Sequence, residues 1–252
     1  MSSPVLVTAD VSVRFGGLDA VRGMSLSVEA GEVAGVIGPN GAGKTTFFNA
    51  ITGHQPMTAG KVEFLGLDVS GLPAHARARM GMSRTFQLGG VITDLTVTEN
   101  VVLGLDHAVL TGARRDGRGE LRRKAASLLE AFHLGSIADQ LGGSLAAGTR
   151  RQVEVVRAIA SGACLVLLDE PGAGLSESER QDLMRIIRRL AVRGSAFLIT
   201  DHTTDLVFSI SDHVVVMNFG EPIARGTPAD IRRDPLVMEA YLGRHVGHDG
   251  PF

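Results

Sequence analysis

Residues 38–45 read Gly38-Pro39-Asn40-Gly41-Ala42-Gly43-Lys44-Thr45. Glycines hold the first and sixth positions, and a lysine and a hydroxyl residue close the run. The short apolar stretch Val33–Ile37 precedes it. A helical pattern carried by Phe47, Phe48 and Ile51 follows and stops near Gly53. A buried strand, a glycine turn and a helix start, in that order, bring backbone N–H groups and a helix N-terminus to one concave spot, which suits phosphate. Lys44 adds a point charge at the outer phosphates, and the Thr45 hydroxyl can ligate Mg²⁺. Glycine makes up 32 of 252 residues, but Lys44 is one of only three lysines among 25 basic residues. An accidental match in such a composition arises in fewer than about one chain in a hundred. The chain is therefore expected to bind a nucleoside triphosphate rather than to carry an ordinary glycine turn.

A second element lies far downstream. Cys164-Leu165-Val166-Leu167-Leu168-Asp169-Glu170 is an apolar strand ending in two acids. At the carboxyl end of a sheet strand, Asp169 would face the cation held by Thr45, and Glu170 would orient or deprotonate an attacking water. An acid pair after a strand is a weak signal alone and a strong one beside the phosphate loop. Cys164 reads as core filler.

The rest of the chain supports an α/β fold. Val11, Val13 and Phe15 alternate with polar residues, as do Met24, Leu26 and Val28, which predicts β structure at the start. Lys61–Leu65 reads as a further short strand. From about residue 88 to 160 the strand signal disappears, and Leu121, Ala125, Leu128, Leu129 and Phe132 fall at helical spacing. Gln152–Ala160 reads as helix. Leu183, Ile186, Ile187 and Leu190 form one helix face, and Ala196–Thr200 and His213–Met217 are strands. Thr227-Pro228-Ala229-Asp230 opens a late helix with a capping Thr and Pro at its first position. The stretch Gly112–Gly119 reads as a solvated surface loop. The expected fold is thus a P-loop NTPase core with a mainly parallel sheet, an N-terminal antiparallel β subdomain and an inserted α-helical subdomain. One domain spans 1–252. Residues 1–87 and 153–252 form the core, and 88–152 form the helical part.

Composition narrows the function. A formal net charge of −2 gives no general attraction to nucleic acid or anionic lipid, so no nucleic-acid partner is expected. One cysteine excludes an internal disulfide and a cysteine-rich metal site, and suits a reducing compartment. The longest apolar runs are far shorter than a membrane span, and Met1–Pro4 lack the layout of a secretion signal.

Taken in order, Gly38–Thr46, Gln87, Leu145–Ala158, Leu165–Glu170 and His202 resemble the nucleotide-binding subunits of ABC transporters, over nearly the whole chain. Arg84-Thr85-Phe86-Gln87 is similar to the family's Q-loop, and Leu95–Val101 to the segment after it. Leu145-Ala146-Ala147-Gly148 is similar to the signature, Ala173–Ser176 to the D-loop and Thr200-Asp201-His202 to the switch histidine. Arg84–Gln87, the segment around 104–120, Gly220–Pro228 and Val237–Gly243 resemble more narrowly the branched-chain amino acid importer group, which also serves amides and urea.

The resemblance implies an ATPase that uses ATP and Mg²⁺. Phe15 would stack under adenine, with plain core packing as the alternative. Phosphate would be held by Gly38, Pro39, Asn40, Gly41, Ala42, Gly43, Lys44, Thr45 and Thr46, and Mg²⁺ by Thr45, Gln87 and Asp169. Glu170, Gln87 and His202 would carry the catalysis. Leu145, Ala146, Ala147 and Gly148 would face the nucleotide of a second ATPase subunit, identical or different, arranged head to tail. Transmembrane permease subunits would be direct partners and an extracytoplasmic solute-binding protein an indirect one. The subunit would sit on the cytoplasmic face of the inner membrane without a span of its own. A soluble ABC ATPase outside transport is the alternative. Three positions depart from the pattern. Ala146 replaces the usual signature serine, Ser176 ends the D-loop where Asp is commonest, and Thr203 follows His202 where an acid is common.

Overall fold

The computed structural model describes residues 4–85, 90–110, 117–201 and 203–242. β1 (Leu6–Phe15) and β2 (Leu18–Val28) pair as an antiparallel hairpin closed by Gly16-Gly17. β3 (Val33–Ile37) leaves this hairpin for a second sheet and runs into the glycine loop and α1 (Lys44–Thr52). β4 (Ala59–Phe64) and β5 (Leu67–Asp68) return to the first sheet, whose order is β2-β1-β4-β5. The expected strand Lys61–Leu65 thus starts two residues earlier. It stops at Phe64 because Leu65 turns away with φ +53.

The second sheet is completed by β6 (Met82–Arg84), β7 (Leu165–Asp169), β8 (Ala196–Thr200), β9 (His213–Asn218) and β10 (Glu221–Gly226). Its order is β10-β9-β3-β8-β7-β6, with every neighbour parallel except the β9–β10 hairpin. β3 therefore lies in the sheet interior, as its all-apolar sequence requires. Its side chains alternate between two hydrophobic clusters. Val33 and Ile37 join one, while Ala34 and Val36 join the other. β7 and β8 alternate the same way, so both faces of the sheet are covered.

Phe47, Phe48 and Ile51 pin α1 beneath the first sheet with no measurable exposure. Each such burial is worth about 1.5–3 kcal/mol. The C-terminal end of α1 is closed by an element the sequence reading did not anticipate. α2 (Ala74–Arg79) presents the buried Arg77, whose guanidinium donates to Ala50 O at 2.9 Å, Ile51 O at 2.6 Å, Leu72 O at 2.9 Å and Ser70 O at 3.0 Å. A cation at the negative end of a helix, with its donors satisfied by carbonyls, needs no carboxylate partner.

Between β6 and β7 the described residues contain helices and one isolated bridge, Thr96–Leu141. α3 (Val97–Leu110) starts at a Thr96/Glu99 capping box. The buried Asn100 bonds the backbone of Ile92, Leu95 and Thr96 and so shapes the turn before the helix. α4 (Arg118–Ala131) begins inside the stretch expected as loop, and residues 112–116 of that stretch lie outside the described residues. α5 (Ala147–Ala160) follows. α6 (Glu177–Ala191), α7 (Thr204–Ile210), α8 (Pro228–Ile231) and α9 (Pro235–Leu242) complete the fold. The expected Thr227 cap is present, with Asp230 closing the box. No helix among the described residues is long and apolar enough to cross a membrane.

Candidate functional site

The glycine loop sits at the carboxyl end of β3 and is held on two sides. A Cβ on Gly38 would lie 2.1 Å from Met217 O, and one on Gly43 would lie 2.2 Å from Ala20 O. Neither position accepts a side chain, and Gly43 also holds φ +99. The Gly220 amide donates to Ala42 O at 3.0 Å, tying the loop to the β9–β10 hairpin. Lys44 is buried, and its Nζ donates to the carbonyls of Gly38 at 2.7 Å and Pro39 at 3.0 Å. The cation therefore lies back along the loop it belongs to. Thr45 and Thr46 are half-buried at the start of α1, and Asn40 is exposed.

Over this loop opens a cleft that gathers Phe15, Asn40, Gly41, Ala42, Gly43, Lys44, Thr45, Thr46 and Glu170. Phe15 is 47% exposed at the end of β1, which excludes the core alternative. Leu18, Arg22 and Phe219 also line the cleft. The sequence reading missed them because Leu18 and Phe219 sit at hairpin tips and Arg22 inside β2, where no spacing motif marks them. Phe219, 75% exposed with φ +45, is a second aromatic ring in the same cleft.

Asp169 ends β7 (Leu165–Asp169) opposite Thr200, with Glu170 just past the strand. Its Oδ2 accepts from Arg84 Nη2 at 3.1 Å, and its amide donates to the Thr85 hydroxyl at 3.0 Å. Its Oδ1 is buried with no hydrogen-bond partner among the described residues. A lone anionic oxygen of this kind fits a hard divalent cation or its water. Glu170 follows with φ +54, a conformation that costs a residue with a Cβ about 1–2 kcal/mol. It is held there by its amide donating to Thr200 O at 2.7 Å and its carbonyl accepting from Arg151 Nε at 3.2 Å. Arg151 is itself braced by Glu154 at 2.6 Å. Past the bend, buried Asp201 accepts from the amides of Gly172 and Thr203, each at 2.9 Å. The sequence reading gave Asp201 no role. Here it joins the loop after Glu170 to the residues flanking position 202. Gln87 and His202 themselves lie outside the described residues.

Leu145, Ala146, Ala147 and Gly148 do not line this cleft. Leu145 is buried, Ala146 and Ala147 are exposed, and Gly148 packs on the D-loop, where an added Cβ would meet Gly174 O at 2.6 Å. Ala146 is the N-cap of α5 and its methyl offers no hydrogen bond to the first amides of that helix.

The sequence matches the family described as ABC transporter over residues 21–173. This chain belongs to that family. As an ABC ATPase it is an ATP-hydrolysing P-loop cassette. Residues 221–247 further match the family described as branched-chain amino acid ATP-binding cassette transporter. The high-affinity branched-chain amino acid transport ATP-binding protein BraF of Pseudomonas aeruginosa is 41% identical, covering 96% of this chain and 99% of the relative. The lipopolysaccharide export system ATP-binding protein LptB of Escherichia coli is 38% identical, covering 94% and 97%. Among solved structures, an ATP-binding cassette of an ABC transporter in its ADP conformation superposes with a TM-score of 0.82 at 31% identity. It covers 96% of this chain and all of the other. The chain is therefore an ATPase, and the cleft over its glycine loop is lined by residues of this chain that do not include Leu145–Gly148.

Proposed function

We propose that this ABC ATPase powers the import of a small solute, branched-chain or other amino acids, with amides or urea as related cargo. The observation that carries this reading is the match at residues 221–247, because it lies beyond the ATPase core common to ABC proteins. Residues 1–252 act as one cassette, in which 88–152 form the helical part between two stretches of core. ATP binds with its phosphates on Gly38–Thr46 and its base on Phe15. Lys44 swings from the carbonyls of Gly38 and Pro39 onto the outer phosphates. Thr45, Gln87 and Asp169 would hold Mg²⁺, which would supply positive charge to neutralise the phosphates. Glu170 orients the attacking water and takes its proton, with Gln87 and His202 completing the γ-phosphate side.

The exposed start of α5 explains why one chain is not enough. Leu145–Gly148 lie away from their own phosphate cleft, so they serve the nucleotide of a second ATPase subunit, identical or different. Closing the pair is then conditional on the γ-phosphate. The chain attaches peripherally, at the cytoplasmic face of the inner membrane, to transmembrane permease subunits that an extracytoplasmic solute-binding protein feeds. Membrane vesicles carrying the reassembled complex test the reading. ATP should drive accumulation of leucine, isoleucine or valine, and Lys44→Ala should abolish it. ATP-driven extraction of lipid instead would favour the export reading that the LptB likeness allows. Vesicles that move neither, while the purified chain still hydrolyses ATP, would leave the soluble, non-transport alternative.

A further inference from the structure

Arg84 is nearly inaccessible and joins three parts of the site. Its side chain is 5% exposed, against 1% for Asp169, to which Nη2 donates at 3.1 Å. Nη1 donates to Asn49 Oδ1 at 2.5 Å and to Thr52 Oγ1 at 3.3 Å, both on α1, and Nε donates to Thr85 O at 3.2 Å. The guanidinium also lies 5.9 Å from the centre of the Phe48 ring. One planar cation thus spans the helix that follows the phosphate loop and the carboxylate at the end of β7. Thr85 next to it takes the Asp169 amide. Arg84 at the end of β6 and Thr85 just after it therefore grip Asp169 by its side chain and by its backbone.

We infer that Arg84 is a positioning residue for the metal site, holding Asp169 by Oδ2 so that Oδ1 alone is presented to Mg²⁺. This rests on Asp169 being the metal carboxylate. Two effects of removing Arg84 oppose each other. Losing a cation beside Asp169 favours a second cation electrostatically. Losing the fixed donor, however, leaves a buried carboxylate that turns towards whatever donor the fold offers, and its geometry goes with it. The second effect dominates for a side chain this buried, because partners of metal ligands contribute about 10–100-fold to metal affinity through orientation. The same linkage makes the metal site answer to β6, the strand that leads towards Gln87.

The test is binding of a fluorescent ATP analogue to the full chain as Mg²⁺ is raised, with a parallel titration in EDTA. Arg84→Met should shift the Mg²⁺ midpoint upward by about 10–100-fold and leave metal-free affinity unchanged. Arg84→Lys, which keeps the charge and loses the fork, should fall between. A midpoint that stays put or moves down overturns the inference. So does an equal loss of affinity with and without Mg²⁺, which marks a role in packing alone. If Arg84→Met does not fold, Arg84→Lys and Asn49→Ala decide: both are expected to raise the midpoint, and an Arg84→Lys midpoint that stays put overturns the inference. Asp169→Asn separates the two levels. It should remove the Mg²⁺ dependence, and if it does not, the reading of Asp169 itself fails whatever Arg84 shows.

Discussion

The Glu170 amide donates to the Thr200 carbonyl at 2.7 Å while Glu170 holds φ at +54. The neighbouring strand β8 thus keeps the acid in a conformation its own side chain disfavours. Glu170→Gln preserves that arrangement, so ATP binding should persist while hydrolysis falls by about 10²–10⁴-fold, the share of a general base. Glu170→Gly should be inactive yet more stable to heat. The strain relieved, about 1–2 kcal/mol, exceeds the roughly 0.4–1 kcal/mol that glycine adds to the freedom of the unfolded chain. Phosphate release and thermal unfolding measure the two, and an active Gln variant would remove Glu170 from the mechanism.

Ala146 begins α5 without a side-chain cap. Ala146→Ser should stabilise the isolated chain by about 1 kcal/mol in a denaturant titration. It should also tighten ATP-dependent pairing with a second ATPase subunit, since a hydrogen bond to a charged group contributes about 1.5–3 kcal/mol. A gain in stability with no change in pairing would confine residue 146 to its own helix.

Phe15 and Phe219 both line the cleft over the phosphate loop. Truncating either to Ala should weaken ATP by the value of one aromatic contact, about 0.5–1.5 kcal/mol, and leave inorganic tripolyphosphate unaffected. A ring that matters equally for both ligands shapes the loop rather than the base site.

Tyr241 is the chain's single tyrosine, and there is no tryptophan. Burial pushes its phenol up to about 12, against a hydrogen bond with the Gly38 backbone that favours the anion. A raised acid pKa means that the neutral form stabilises the fold. That contribution is complete below the ordinary value of about 10 and is lost as pH climbs towards 12. Absorbance titration of the phenolate follows this one residue, and a midpoint at the ordinary value would contradict its burial.

Much of the fold was legible because it rests on local patterns. The apolar runs of β3 and β7, the helix face of α6 and the Thr227 cap each carry their own periodicity or capping residues. The phosphate loop and the two acids of the site were legible for a chemical reason, since few residue types do that work. What escaped detection depends on tertiary contacts. Arg77 closing the end of α1, Arg84 gripping Asp169 and Asp201 joining two loops are charged residues whose partners lie far away in sequence. Phe219 escaped for the opposite reason, because an exposed ring in a hairpin looks like surface. The loop expected at 112–119 failed at its end because α4 begins at Arg118 with a glycine before and after it, against local propensity.

β3 contributes alternate side chains to both hydrophobic clusters. A strand shared in this way cannot melt by itself, since releasing it dismantles both halves of the interior at once. Its amides should therefore exchange with solvent only as fast as the entire molecule unfolds. A nucleotide held on the glycine loop would then rest at the end of a strand anchored in both clusters. Motion during turnover would fall to the margins, to the hairpin tips, the β6 edge and the helices beyond it, which could shift without disturbing that strand.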